Sequence, residues 1–301
     1  MTQQGRSSAI DLGALQPTIV TLRDGRRLSY YEFGDAVGTP CFYIPGTPCS
    51  GLAGAAYHDA AARAGVRWIS VDKPGYGRSD LSTGSLADFV DDLVELAELL
   101  TLPRFAVAGE SGGGPYALAA GWQRPARLSV VLVLAGMGPG HERWARAGMK
   151  PMNWVLLALA QRAPVLVTPL MRWMAWTVTD PRRAARQSTA AAKRLPAPDL
   201  AVHEEFGHIE TAAVADAFRH GVAGSVREAR LLARPWGFAV EDVSTPVELW
   251  HGTADVNVPI RLAQSVCDRL PVCTSHFLPG VGHAAGHVAA DDVMRAVAGN
   301  A

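Results

Sequence analysis

The chain has 301 residues, 49% of them hydrophobic, and its 28 basic and 28 acidic side chains cancel. That length suits one large domain with an inserted subdomain, and that hydrophobic content supplies a substantial core. Balanced charge gives no electrostatic reason to expect nucleic acid or an anionic membrane surface as a partner.

Residues 1–8 are polar and lack the apolar centre of a secretion signal. Residues 18–22 and 27–33 read as an antiparallel pair around a turn at Asp24-Gly25. A short buried strand is expected at 41–44, a small-residue helix at 51–64 and a strand at 66–71. Residues 85–100 form a strong amphipathic pattern. Leu86, Phe89, Val90, Leu93, Ala97 and Leu100 share one face, and Ser85 with Asp88 has the form of a capping box. A strand at 105–108 leads into a helix at 112–122, and another strand follows at 128–134. From about 138 to 234 strand signals vanish. Helices are expected at 151–163, 164–177, 181–195 and 210–233, several of them opened by proline. The sheet resumes at Val247. Alternating strands and helices imply a mostly parallel central sheet flanked by helices, with ligands at the carboxyl ends of the strands. The expected organisation is an α/β core formed by 1–137 and 235–301, with a helical cap at 138–234 inserted between two strands. The longest apolar runs, such as 154–160, are too short to span a bilayer.

Three strand ends carry chemistry. Gly109-Glu110-Ser111-Gly112-Gly113 is a Gly-x-Ser-x-Gly run between a strand and a helix. A serine in such a turn points outward at the positive end of a helix. A serine hydroxyl needs a base, and the base needs an orienting acid. Asp255 follows the strand ending at His251-Gly252, and His283 lies in the Gly-rich loop Pro279-Gly280-Val281-Gly282. The chain order Ser111, Asp255, His283 is that of an α/β-hydrolase triad.

With these motifs, the chain resembles the α/β-hydrolase superfamily over nearly its whole length, within a capped bacterial esterase subgroup that uses a serine nucleophile. Asp72-Lys73-Pro74-Gly75-Tyr76-Gly77-Arg78-Ser79-Asp80 is similar to the loop after that family's fourth strand. Ile44-Pro45-Gly46-Thr47-Pro48-Cys49-Ser50 is similar to its oxyanion loop, and Pro235-Trp236-Gly237-Phe238 to the return from its cap. Most relatives carry histidine where this chain has Pro45. The resemblance implies that the backbone N–H groups of Thr47 and Gly112 form the oxyanion hole. It also implies that no cofactor is needed.

The expected function is hydrolysis of a carboxylic ester through an acyl-enzyme. The tryptophans and methionines of the cap segment suggest a small apolar substrate, with Trp144, Trp154, Met174 and Trp236 as candidate contacts. The same aromatics could equally line a homodimer contact. Acyl transfer, amide, N-terminal peptide, thioester or carbon–carbon bond cleavage would use the same triad, and fold alone does not choose among them. A slow-turnover ligand receptor is the alternative outside enzymology. Glu204, Glu205 and Glu210, the cluster an aminopeptidase would need, read as a solvated face. His283 and His287 lie four apart but lack an intervening glutamate and a third ligand, so no metal is expected. His251 reads as structural, and Glu110 as a partner for local hydrogen bonds behind the elbow. The four cysteines form no C-x-x-C pair. Reduced structural thiols and a cytoplasmic location are therefore expected.

Overall fold

A computed structural model describes residues 11–142 and 148–300. Eight strands form one sheet in the order β1-β2-β4-β3-β5-β6-β7-β8. They are β1 (Thr18–Thr21), β2 (Arg27–Gly34), β3 (Thr39–Ile44), β4 (Val66–Val71), β5 (Phe105–Glu110), β6 (Leu128–Leu134), β7 (Val247–Gly252) and β8 (Cys273–Leu278). β2 runs antiparallel to both its neighbours, and the pairings from β4 through β8 are parallel. Their carboxyl ends therefore lie on one edge, where loops can converge.

Helices cover both faces. α1 (His58–Ala64) and α11 (Ala290–Gly299) pack on one side over Tyr43, Tyr57 and Trp68. α2 (Leu86–Leu99), α3 (Gly114–Gln123) and α9 (Ile260–Arg269) pack on the other over Phe42, Phe105, Tyr116 and Val131. α2 opens on the expected capping box: Asp88 N–H donates to Ser85 Oγ, and Ser85 N–H to the Asp88 carboxylate. Such a cap contributes about 1 kcal/mol. The segment expected as one helix at 51–64 is a 3-10 stretch over Gly51–Tyr57 followed by α1. A short helix, α10 (Ala285–Val288), precedes α11.

Between β6 and β7 the chain folds into α4 (Pro151–Arg162), α5 (Val167–Val178), α6 (Pro181–Ala192), α7 (Ala197–Ala217) and α8 (Ala223–Leu232). The single helix expected at 210–233 is two. α7 begins earlier, after Pro196, and the chain turns at Gly221 with φ +91° before α8. Only glycine adopts that backbone without strain.

Cys267 at the end of α9 and Cys273 at the start of β8 form a disulfide, which corrects the expectation of reduced thiols at these two positions. Their spacing of six is not a motif, but a helix ending against the strand it precedes brings the Cα atoms to 5.5 Å. Cys41 and Cys49 are free and buried. Among the described residues, no helix is long and apolar enough to cross a membrane.

The turn from β5 into α3 is the tightest point. A Cβ on Gly109 would overlap the carbonyl oxygen of Gly113, and one on Gly113 would overlap that of Ile44. Gly109→Ala is therefore expected to lower unfolding free energy by about 1–3 kcal/mol in chemical denaturation. An unchanged midpoint would show that the turn has slack.

Candidate active site

Ser111 sits in that turn with φ +51°. A non-glycine residue held there stores about 1–3 kcal/mol of strain. The conformation persists because both flanks are fixed: β5 is paired on both sides, and Ser111 O accepts from Met137 N–H at 2.8 Å. Gly112 lies in the first helical turn, where backbone N–H groups have no acceptor within the helix.

β3 delivers the neighbouring loop. Gly46 backs onto Ser111 so closely that a Cβ would come within 3.2 Å of Ser111 Cβ. The Thr47 side chain lies over Gly112, where any larger residue would collide with Thr47 Oγ1. Lys73, after β4, holds this loop from beneath. Its Nζ donates to Gly46 O at 2.9 Å and Thr47 Oγ1 at 3.0 Å, and pairs with Glu228 of α8 at 2.7 Å. Both side chains are buried, and Tyr76 OH donates to the other Glu228 oxygen at 2.6 Å. Such a buried pair holds geometry because losing either partner strands the other charge.

β7 and β8 supply the remaining groups. His283 Nδ1 lies 2.7 Å from Asp255 Oδ2. Asp255 Oδ1 accepts from the N–H groups of Asn257 at 2.7 Å and Val258 at 3.0 Å. Burial pushes the Asp255 carboxyl up, but His283, His251 and the Val258 N–H outweigh it and hold it below the ordinary value. Burial likewise disfavours the charged form of His283. The Asp255 carboxylate, with Glu110 and Glu210 at longer range, reverses this and raises His283 above 6.5. His251 donates through Nε2 to Val258 O at 2.8 Å, and burial lowers its pKa, so it serves as a neutral prop beneath Asp255. The His283 loop is gripped from α7: Asp199 accepts from Gly282 N–H at 2.6 Å and Ala284 N–H at 3.0 Å.

Ser111, Thr47, Gly112 and His283 all open onto one cavity of about 410 Å³, roofed by the inserted helices. Asp255 lies behind His283. Met137, Met149, Leu156, Leu157 and Leu232 make an apolar wall. Glu110, Glu210, His203 and His287 make a polar one, and no lysine or arginine lines it among the described residues. Glu110 does form local bonds: it accepts from Tyr43 OH and, at 3.4 Å, from Tyr57 OH, with His287 Nδ1 at 3.5 Å. It also reaches the cavity. Glu210 lines the cavity too, rather than only a solvated face. Cys49 borders the cavity, yet burial pushes its thiol well up, away from a reactive thiolate. Among the described residues, no cluster of three metal-ligating side chains occurs.

Of the expected substrate contacts, Trp236, Met174 and Trp154 do not line this cavity. Trp236 is packed in the core beside Phe238, below the insertion. Met174 packs inside the insertion against α4 and α8. Trp154 is 45% exposed on the outer side of α4. Trp144 lies outside the described residues. On α4, Asn153, Leu156 and Leu157 line the cavity, whereas Trp154, about 60° round the helix from Leu157, falls at the margin of that face and outside the lining. Sequence alone does not single out Lys73, Asp199 or Glu228. Lys73 falls within the Asp72–Asp80 motif, whereas Asp199 and Glu228 have no local signal.

The model of the alpha/beta hydrolase family matches residues 42–297. A putative carbamate hydrolase, RutD, from Variovorax paradoxus is 27% identical over 244 residues, covering 78% of this chain and 83% of that protein. An esterase from Exiguobacterium antarcticum superposes with a TM-score of 0.68 at 17% identity, over 94% of this chain and 98% of the other. A thermophilic esterase from Thermogutta terrifontis gives 0.66 at 19% identity, over 94% and 97%. The chain belongs to the alpha/beta hydrolase family.

Proposed function

We propose that this hydrolase cleaves carboxylic esters of small, apolar, uncharged molecules through an acyl-enzyme on Ser111. The observation that carries this reading is a serine at a strained elbow, sharing a cavity with a histidine whose other nitrogen is 2.7 Å from a buried carboxylate. His283 takes the Ser111 proton as the hydroxyl attacks the ester carbonyl, and Asp255 orients the ring and stabilises its charged form. The N–H groups of Thr47 and Gly112 receive the oxyanion, each contributing about 3 kcal/mol. His283 then protonates the departing alcohol and later activates water to release the acid. The inserted helices act as a cap that limits water in the cavity. The methionine and leucine wall supports an apolar acyl or alcohol group, and three carboxylates without a lysine or arginine disfavour anionic substrates.

Nitrophenyl esters of increasing acyl length test this, beside carboxylate-bearing esters of matched length. Turnover is expected to peak at one neutral chain length and to fall by roughly 10³-fold or more in Ser111→Ala. Wild-type turnover by that variant would sink the mechanism. Nitrophenyl carbamates belong in the same panel, because the Variovorax relative is described as a putative carbamate hydrolase. Faster carbamate turnover would replace the ester assignment while leaving Ser111 in place.

His283 must be neutral to act as base. Because its pKa is raised above 6.5, kcat/KM should fall as pH drops through an apparent pKa above that value. Glu210→Gln removes one raising charge and should move this limb to lower pH; an unmoved limb contradicts the electrostatic account.

Asp199→Asn keeps the side-chain shape but presents one oxygen to two N–H donors. It should lower kcat about tenfold, the loss of one charge-assisted bond, while KM stays nearly constant. Equal loss in both constants, or in neither, would show that Asp199 does not position His283.

A further inference from the structure

The cancelling charges of the whole chain hide a local imbalance. Residues 148–195 hold eight lysines and arginines and one aspartate, so this stretch is strongly cationic and the rest of the chain carries the compensating negative charge. It forms α4, α5 and α6, the outermost part of the insertion. Arg182 and Arg186 on α6 and Lys193 at its C-cap recur on one exposed side.

Large apolar side chains are exposed on the same helices. Leu166, at the N-cap of α5, and Trp173 and Trp176 within it fall on one side of the helix. Trp173 is 53% exposed and Trp176 57%. Met152 and Trp154 on α4, and Val165 in the turn before α5, are exposed as well. The two kinds of residue interlock: the Arg183 guanidinium of α6 stacks 3.8 Å from the Trp176 ring centre. A face that combines exposed tryptophan with arginine and lysine has the chemistry of helices that lie in a membrane interface. Rings of this kind settle at the headgroup level, and the cations pair with anionic headgroups.

We propose that the outer face of α4–α6 docks onto an anionic lipid surface, without crossing it. Charge complementarity selects this occupant. A second copy of the chain would bring two cationic faces together, and that repulsion opposes self-association through the same surface. The placement also has a consequence for access. On α4 the exposed Met152 and Trp154 flank Leu156 and Leu157, which line the cavity, so a lipid surface against α4 would lie beside the cavity wall. Apolar esters concentrate in such a surface.

The direct test is flotation of the full chain with vesicles, using Ser111→Ala so that lipid cleavage does not intervene. Vesicles of phosphatidylcholine with about 30% phosphatidylglycerol are compared with phosphatidylcholine alone, since headgroup charge is the variable. Binding is expected to be at least tenfold tighter to the anionic vesicles and to weaken with added salt. Arg182→Gln, Arg186→Gln and Lys193→Gln should each lower partitioning by about fivefold. Trp173→Ser with Trp176→Ser should abolish the blue shift of tryptophan emission on binding. In the background with Ser111 intact, all these variants should turn over a soluble short-chain ester as the parent does, which shows that they fold. Absence of vesicle binding, equal binding to both vesicle types, or binding unaffected by the substitutions would overturn the proposal. So would a concentration-dependent dimer that the tryptophan variants dissolve while vesicle binding is absent, because the face would then be a self-interface.

Discussion

The left-handed backbone at Ser111 is the constraint around which the rest of the site is arranged. A strand that ends in a turn this sharp leaves no room for side chains at Gly109 and Gly113, and it presses the adjacent loop so close that Gly46 and Gly112 must also be small. Four glycines from two separate loops thus answer to one residue's conformation. The strain is stored by a parallel sheet buried on both faces, with Val107 and Ala108 of β5 fully buried. The same parallel register brings the ends of β7 and β8 to that edge, and with them Asp255 and His283.

The inserted helices are tied to the core at two chemically similar points. Asp199 on α7 receives the backbone N–H groups on either side of His283, and Glu228 on α8 pairs with the lysine beneath Gly46 and Thr47. Both carboxylates are buried. Breaking either tie would leave donors or a charge without a partner in a low-dielectric setting, a penalty well above that of an exposed pair. α7 and α8 therefore behave as part of the site. α4–α6 show no buried carboxylate tie to the core among the described residues, and they expose Met152, Trp154, Trp173 and Trp176.

Sequence reasoning succeeded where the signal is local. The apolar face and capping box of α2 follow from the spacing of Leu86, Phe89, Val90 and Leu93 and from Ser85 with Asp88. The turn at Ser111 follows from Gly109-Glu110-Ser111-Gly112-Gly113, and the contact between Asp255 and His283 from two strand ends that reach the same edge. The rest depends on tertiary phase. Trp154 and Leu157 sit three apart on one helix, yet one faces solvent and the other the cavity, and no periodicity of α4 alone distinguishes outside from inside. Trp236 sits beside a recognisable return motif but is needed in the core. Asp199 and Glu228 act on loops far from them in sequence, and Cys267 with Cys273 depends on how α9 meets β8. Net charge also conceals the cationic helices, because their excess is cancelled by acidic residues spread over the rest of the chain.

The most direct measurement of the central claim is the mass of the intact protein after exposure to a small fluorophosphonate, followed by peptide mapping. The account requires a single adduct on the peptide that contains Ser111, formed more slowly at pH values where His283 is protonated. An adduct on another residue, or none from a folded protein, would contradict an activated serine at the elbow.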